Sequence, residues 1–151
     1  MRKLAIVALL VLGCRQQQTV PRPVAPGTPG AETPREAVQQ FMAAAKSENL
    51  EAMANVWGSA QGPAHATMSR QVWEQRLIVM IGCLKHDSYQ IARESPGTGG
   101  DRLFEIEIRF RDLTRRSNFT ATRSAVSGSA GRWLVQDFDI QQLSDICSRR
   151  A

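Results

Sequence analysis

Arg102-Leu103-Phe104-Glu105-Ile106-Glu107-Ile108-Arg109-Phe110-Arg111-Asp112 alternates apolar with charged side chains over most of its length. That is the period-two signature of a strand with one face buried and the other wet. The same period extends on both sides and predicts four strands, 87–95, 102–112, 117–127 and 132–140. Between them lie Pro96-Gly97-Thr98-Gly99-Gly100, Leu113-Thr114-Arg115-Arg116 and Gly128-Ser129-Ala130-Gly131. Connections this short make neighbouring strands antiparallel. With four-residue loops and no bulges, Ile91 faces Ile106, Phe110 faces Phe119, Ile108 faces Ala121 and Ala121 faces Phe138, so all three hairpins turn their apolar residues to one side. One row of that side reads Ile91, Ile106, Arg123, Gln136.

Upstream the period is helical. Thr33-Pro34-Arg35-Glu36 combines an N-cap, a proline at the first helical position and the glutamate of a capping box. Val38, Phe41, Met42 and Ala45 follow on one face. A second helix is expected from Asn49, with Leu50, Met53, Ala54 and Trp57 at the same spacing. A third is expected from Ser69 to about Leu84, with an apolar face wide enough for burial on more than one side. Three helices before a four-stranded antiparallel meander with one apolar face predict an α+β domain whose helices cover that face.

The 151 residues, 42% hydrophobic and 22% charged, allow one domain plus accessories and exclude collagen, coiled-coil and polytopic membrane classes. The net charge of +5 invites a nucleic-acid reading. Most of the excess lies near the N-terminus. Removing Arg2, Lys3, Arg15 and Arg22 from 19 basic residues and Glu32 from 14 acidic ones leaves 15 and 13 over 33–151. The remaining charges alternate in sign along the strands, as on a solvated face, so no nucleic-acid partner is expected.

Met1-Arg2-Lys3 followed by the apolar run Leu4–Leu12 is an export signal, too short to span a bilayer permanently. Val11-Leu12-Gly13-Cys14 resembles a bacterial lipobox, which implies cleavage before Cys14 and acylation of that cysteine. Residues 1–13 are thus read as signal peptide and 14–32, rich in proline, as a tether. In polyproline II its 18 residues after Cys14 reach at most about 55 Å. The domain follows at 33–151. Several acyl chains anchor stably where one does not. With Arg15 after the lipidated cysteine, the expected place is the cell envelope, at an outer membrane facing the periplasm. Export leaves Cys83 and Cys147 either to form a disulfide or to stay as two buried thiols. No cysteine–histidine cluster or Cys-x-x-Cys pair suggests a metal or redox site, and no cofactor is expected.

Thr33 to Phe41, Glu48-Asn49-Leu50-Glu51-Ala52-Met53 and Gly131-Arg132-Trp133-Leu134-Val135-Gln136-Asp137-Phe138 look like the cone-shaped domains of the nuclear transport factor 2-like superfamily, in particular its bacterial lipoprotein members. The resemblance covers about 33–140. It implies a curved sheet wrapping a long helix, often around a pocket, in a superfamily holding isomerases, cyclases, dehydratases and non-catalytic binding domains. Fold therefore does not select function.

In the expected register Arg123 and Gln136, with Tyr89 or Arg93, form a candidate pocket fixing an anionic or polar group. The alternative is that the strands bend there and Arg123 reaches solvent or a helix carboxylate such as Glu74. Catalytic residues are not expected. Tyr89 is the only tyrosine, no inner-face position is acidic, Asp137 and Asp139 fall on the outer face, and His65 and His86 are scattered. The Gly97–Gly100 run precedes no helix and cradles no phosphate. Trp133, Val135 and Val126 are expected on the outer face, meeting either the C-terminal segment 141–147 or a partner, including a second copy through the sheet. The expected function is a non-catalytic envelope lipoprotein domain binding a small ligand or protein. The alternative is an isomerase- or cyclase-type enzyme with a pocket centred on Arg123, and a third possibility is a purely structural envelope factor.

Overall fold

A computed structural model describes residues 28–149, so the signal segment, Cys14 and most of the tether lie outside the described residues. Helix α1 (Pro34–Lys46) starts where the sequence dictates. The Thr33 hydroxyl accepts from the Glu36 amide at 3.2 Å, and the Glu36 carboxylate accepts from the Thr33 amide at 3.2 Å. Glu48, at φ 53°, turns the chain into α2 (Leu50–Val56), whose first turn is capped by Asn49 Oδ1 accepting from the Ala52 amide at 3.0 Å. A small hairpin, β1 (Gly58–Ser59) and β2 (Gly62–Pro63), leads into the single turn α3 (Ala64–Thr67). Any side chain at Gly58 would place its Cβ 2.2 Å from the Gly62 carbonyl oxygen, so only glycine closes this hairpin.

Helix α4 (Arg70–Cys83) buries Trp73, Leu77 and Cys83, with Leu84 at its end. The expectation of burial on several sides is corrected: Val72, Ile78 and Val79 are 40%, 59% and 61% exposed. Nothing packs on that side because the short α5 (Ser144–Ser148) reaches only the end of α4, where Cys147 is disulfide-bonded to Cys83. Leu143 and Ile146 complete the core from this C-terminal segment.

The sheet is the antiparallel meander expected, β3 (Ser88–Pro96), β4 (Arg102–Phe110), β5 (Leu113–Arg123) and β6 (Trp133–Phe138). Its register differs in four places, one of them the start of the β5–β6 pairing, where Phe138 faces Phe119 and not Ala121, an even shift of two. The β4–β5 connection is two residues, Arg111 and Asp112, with Arg111 at φ 55°, so Ile108 faces Arg115 and not Ala121. That displacement of six positions is even and leaves every side chain on its expected face. The other two changes are bulges. Ala92 in β3 has no partner between the Ile91–Ile106 and Arg93–Glu105 pairs, and Gln136 in β6 has none between Thr120–Asp137 and Ala121–Val135. Each turns over the strand beyond it.

Trp133 and Val135 are therefore on the inner face, 5% and 0% exposed, which corrects their expected outward placement. Ala31 bridges to Trp133 through reciprocal 2.9 Å backbone bonds, and Trp57 bridges in parallel to Val135, so the free edge of β6 is covered. Phe41, Phe104, Phe119, Ile106 and Ile108 are fully buried, and the interior of the cone is filled with side chains.

Beside the core, His86 is 8% exposed, its Nδ1 lies 2.8 Å from the Leu84 carbonyl oxygen, and Tyr89 meets it edge-on at 5.3 Å. Burial pushes the His86 pKa below its ordinary 6.5, and nearby Lys46 adds to this. The Leu84 carbonyl and Asp87 oppose the shift less strongly.

Two outcomes are expected. Reducing the 64-residue disulfide loop should lower stability in urea by up to about 4 kcal/mol, and Cys83→Ser with Cys147→Ser should reproduce the loss. For His86 the folded state prefers the neutral imidazole. Its contribution is intact above the unfolded value of 6.5 and is lost as pH falls through the lower folded value. Urea titrations of wild type and His86→Asn should diverge most above pH 6.5 and converge in mild acid; a constant gap would refute this.

Candidate functional site

The two bulges disperse the four residues expected to share a pocket. Beyond Ala92, Arg93 turns to the outer face, where its guanidinium donates to Glu105 Oε2 at 2.7 Å. Gln136, the extra residue of β6, is exposed. Tyr89 keeps its inward position opposite Ile108, but at the far end of the strand against His86, where burial raises its hydroxyl pKa. Arg123 ends β5 opposite Trp133 and not Gln136, and its guanidinium lies over the indole at 4.8 Å. It touches neither Glu74 nor any other carboxylate within ion-pair distance among the described residues, and it is exposed at the open end of the cone.

The reversal of β3 that removes Arg93 brings Glu94 inward, opposite Phe104. This acid on the inner face is the one the sequence register had excluded. Its Oε2 accepts from Arg35 at 3.0 Å, at the start of α1, and its Oε1 from Arg102 at 3.0 and 3.3 Å. Glu94, Arg102, Thr122, Arg123 and Trp133 line an open hollow of about 630 Å³, with Pro34, Ala60 and Gly99–Asp101 at its rim. Three guanidinium groups face two carboxylates, Glu94 and Asp101, which leaves this end of the cone positively charged. Both oxygens of Glu94 are engaged by guanidinium donors, so it acts as a clamp on the arginines and is poorly placed to take a substrate proton.

The remaining candidates stay apart from this hollow. Asp137 is exposed on the outer face opposite Thr120, and Asp139 Oδ1 accepts from the Gln141 amide at 3.2 Å. Both line a second, polar hollow of about 410 Å³. His65 Nδ1 lies 3.2 Å from the Ala54 carbonyl oxygen and does not line the hollow. Among the described residues no group of three or more histidine, cysteine or acidic side chains could hold a metal ion. The outer face of β3–β5 carries a charge lattice, Arg93–Glu105–Arg116–Glu107–Arg109, with contacts of 2.7–3.3 Å.

Sequence reading located Arg123 but missed Glu94, Arg102 and Trp133 as its companions. The signals that could have found them are weak: Ala92 and Gln136 are the residues a bulge leaves unpaired, and neither is a glycine.

No family model matches the chain, and no curated protein matches it. Among solved structures it is similar to an NTF2-like protein of unknown function from Cytophaga hutchinsonii, at 16% identity and a TM-score of 0.36 over 74% of this chain and 95% of that one. It is also similar to an LEH-like epoxide hydrolase of M. tuberculosis, at 14% identity and a TM-score of 0.35 over 77% and 89%. Likenesses of this size carry nothing about activity. The α+β architecture, with helices on one face of a four-stranded antiparallel sheet, stands on the chain's own geometry.

Proposed function

We propose that the protein is a lipid-anchored envelope domain that works by binding, with the hollow around Arg123 as the place where a carboxylate or other anionic group of its partner docks. The observation that carries this reading is the contrast between a filled interior and an unpaired guanidinium at its open end. Arg35 and Arg102 are clamped by Glu94, whereas the Arg123 guanidinium lies over the Trp133 indole at 4.8 Å with no carboxylate within ion-pair distance among the described residues. A planar donor fork already ordered by an indole loses little freedom when an anion arrives. The lipobox-like Val11–Cys14 supports attachment through Cys14 and an address on the envelope.

The enzyme reading has Glu94 in its favour, an acid in the same hollow as Arg123. Against it stand the engagement of both Glu94 oxygens and the absence of an enclosed apolar chamber around them. Homodimerisation through the sheet is also disfavoured, because it would desolvate the charge lattice on the outer face.

Native mass spectrometry of the full-length protein, processed in its own cell and extracted in mild detergent, tests the reading. The expected species is residues 14–151 with acyl chains, two hydrogens lighter for the disulfide, carrying a bound molecule or protein that Arg123→Ala loses. An unmodified Cys14 would remove the anchor. A bound species retained undiminished by Arg123→Ala would move the binding site elsewhere.

A further inference from the structure

We propose that the exposed apolar face of α4 rests on the bilayer to which the protein is tethered, so that the domain lies on the membrane surface in one orientation. The inference depends on the lipid-anchor reading above and adds to it a second, non-covalent membrane contact. The face consists of Val72, Ile78 and Val79, 40%, 59% and 61% exposed, three of the six large apolar residues exposed among those described. Helical geometry sets Ile78 on one flank and Val79 with Val72 on the other flank of the side opposite Trp73, Leu77 and Leu84, with the exposed Gln71 and Gln75 between them. Arg76 borders Val72 and Val79 on the helix, Lys85 follows just past its end, and neither has a carboxylate within ion-pair distance among the described residues; the nearby cation Arg70 is occupied by Glu51 and Glu74. Apolar residues rimmed by long, unpaired cations match the boundary between acyl chains and anionic headgroups, where the stems lie along the apolar layer and the charges stay wet.

The tether selects this occupant over others. From Cys14 to Thr28, where the described domain starts, an extended chain reaches at most about 50 Å. A domain of this size is about 35 Å across, so every part of its surface can touch the bilayer. The chain enters the domain beside α2, where the Gly30 amide donates to the Asn55 carbonyl at 2.8 Å, and α2 packs against α4. α4 thus lies on the helical side of the molecule, away from the charge lattice of the sheet, and the chain enters along the edge of β6 beside α2. Tethering replaces a bimolecular encounter by an intramolecular one, so a patch of three side chains is enough to bias the orientation.

The test uses the full, acylated protein in vesicles of phosphatidylethanolamine and phosphatidylglycerol. Val79→Cys or, on the outer sheet face, Asn118→Cys is labelled with the fluorophore NBD. Wild type labelled in parallel reports whether Cys14 is blocked, since Cys83 and Cys147 are bonded to each other. Doxyl-labelled lipid is expected to quench the label at 79 strongly and the label at 118 little, and Ile78→Asp is expected to abolish the difference while the protein stays anchored. Equal quenching at both sites in acylated protein would overturn the inference and leave the anchor standing. A label at 79 shielded from both doxyl lipid and aqueous iodide would also overturn it and give the face to a second copy. Labelling of wild-type protein at Cys14 would instead overturn the anchor reading on which the inference rests.

Discussion

Side chains alternate along a strand with period two, so one unpaired residue reverses everything beyond it. β3 holds such a residue at Ala92 and β6 at Gln136, and the character of the whole open end follows from them. Short of the bulges the inner face is largely apolar, Ile91 with Ile106 and Phe119 with Phe138, with Ser117 and Arg115 opposite Ile106 and Ile108. Past Ala92, Glu94 points inward; across from the Gln136 bulge, Trp133 and Val135 do the same. Without the second reversal Trp133 would sit on the outer face and Arg123 would have no indole to lie on.

The same reversal fills the cone. Bringing Trp133 and Val135 inward adds two large side chains to an interior already occupied by Phe41, Phe104, Phe119 and Phe138, and leaves Leu134 to be covered from outside. The segment around Gly30 covers it: the position a Gly30 Cβ would take is 3.3 Å from Leu134 Cδ2, and the adjacent Ala31 pairs with Trp133. β6 thereby stops being a free edge, which removes one route to association and the apolar sheet patch that would have served another. An interior so packed has its chemistry at its rim.

Much of this was legible in the sequence. The capping box at Thr33, the Asn49 cap, the extent of α4 and the four strands follow from periods and caps that act over a few residues. The β4–β5 turn was not, because Arg111-Asp112 carries no glycine or asparagine and Arg111 adopts a left-handed φ that its residue type rarely signals. That error was harmless to the faces because it was even. The bulges were harmful because each shifts the pairing by one, and nothing in Ala92 or Gln136 marks them: a bulge is set by the curvature the sheet needs to close over α1, a property of the whole domain. Residues before the bulges, such as Ile91 and Ile106, were placed correctly, whereas Arg93, Gln136 and Trp133 were not.

Electrostatics then distinguish the surfaces that remain. On the outer sheet face each arginine of the lattice meets a glutamate, an arrangement that solvates well and gains little from a partner. At the open end Glu94 saturates two arginines and leaves Arg123 over. On α4, Glu74 and Glu51 occupy Arg70 and leave Arg76 over, beside Ile78 and Val79. Arg123 and Arg76 are thus both left without a carboxylate, one above an aromatic ring and the other beside exposed aliphatic side chains. A lone cation over an indole suits a discrete anion, which the guanidinium can grip in its plane. Cations beside exposed aliphatic side chains suit an extended anionic layer, so the proposed partner and the proposed membrane contact call on different surfaces of the domain.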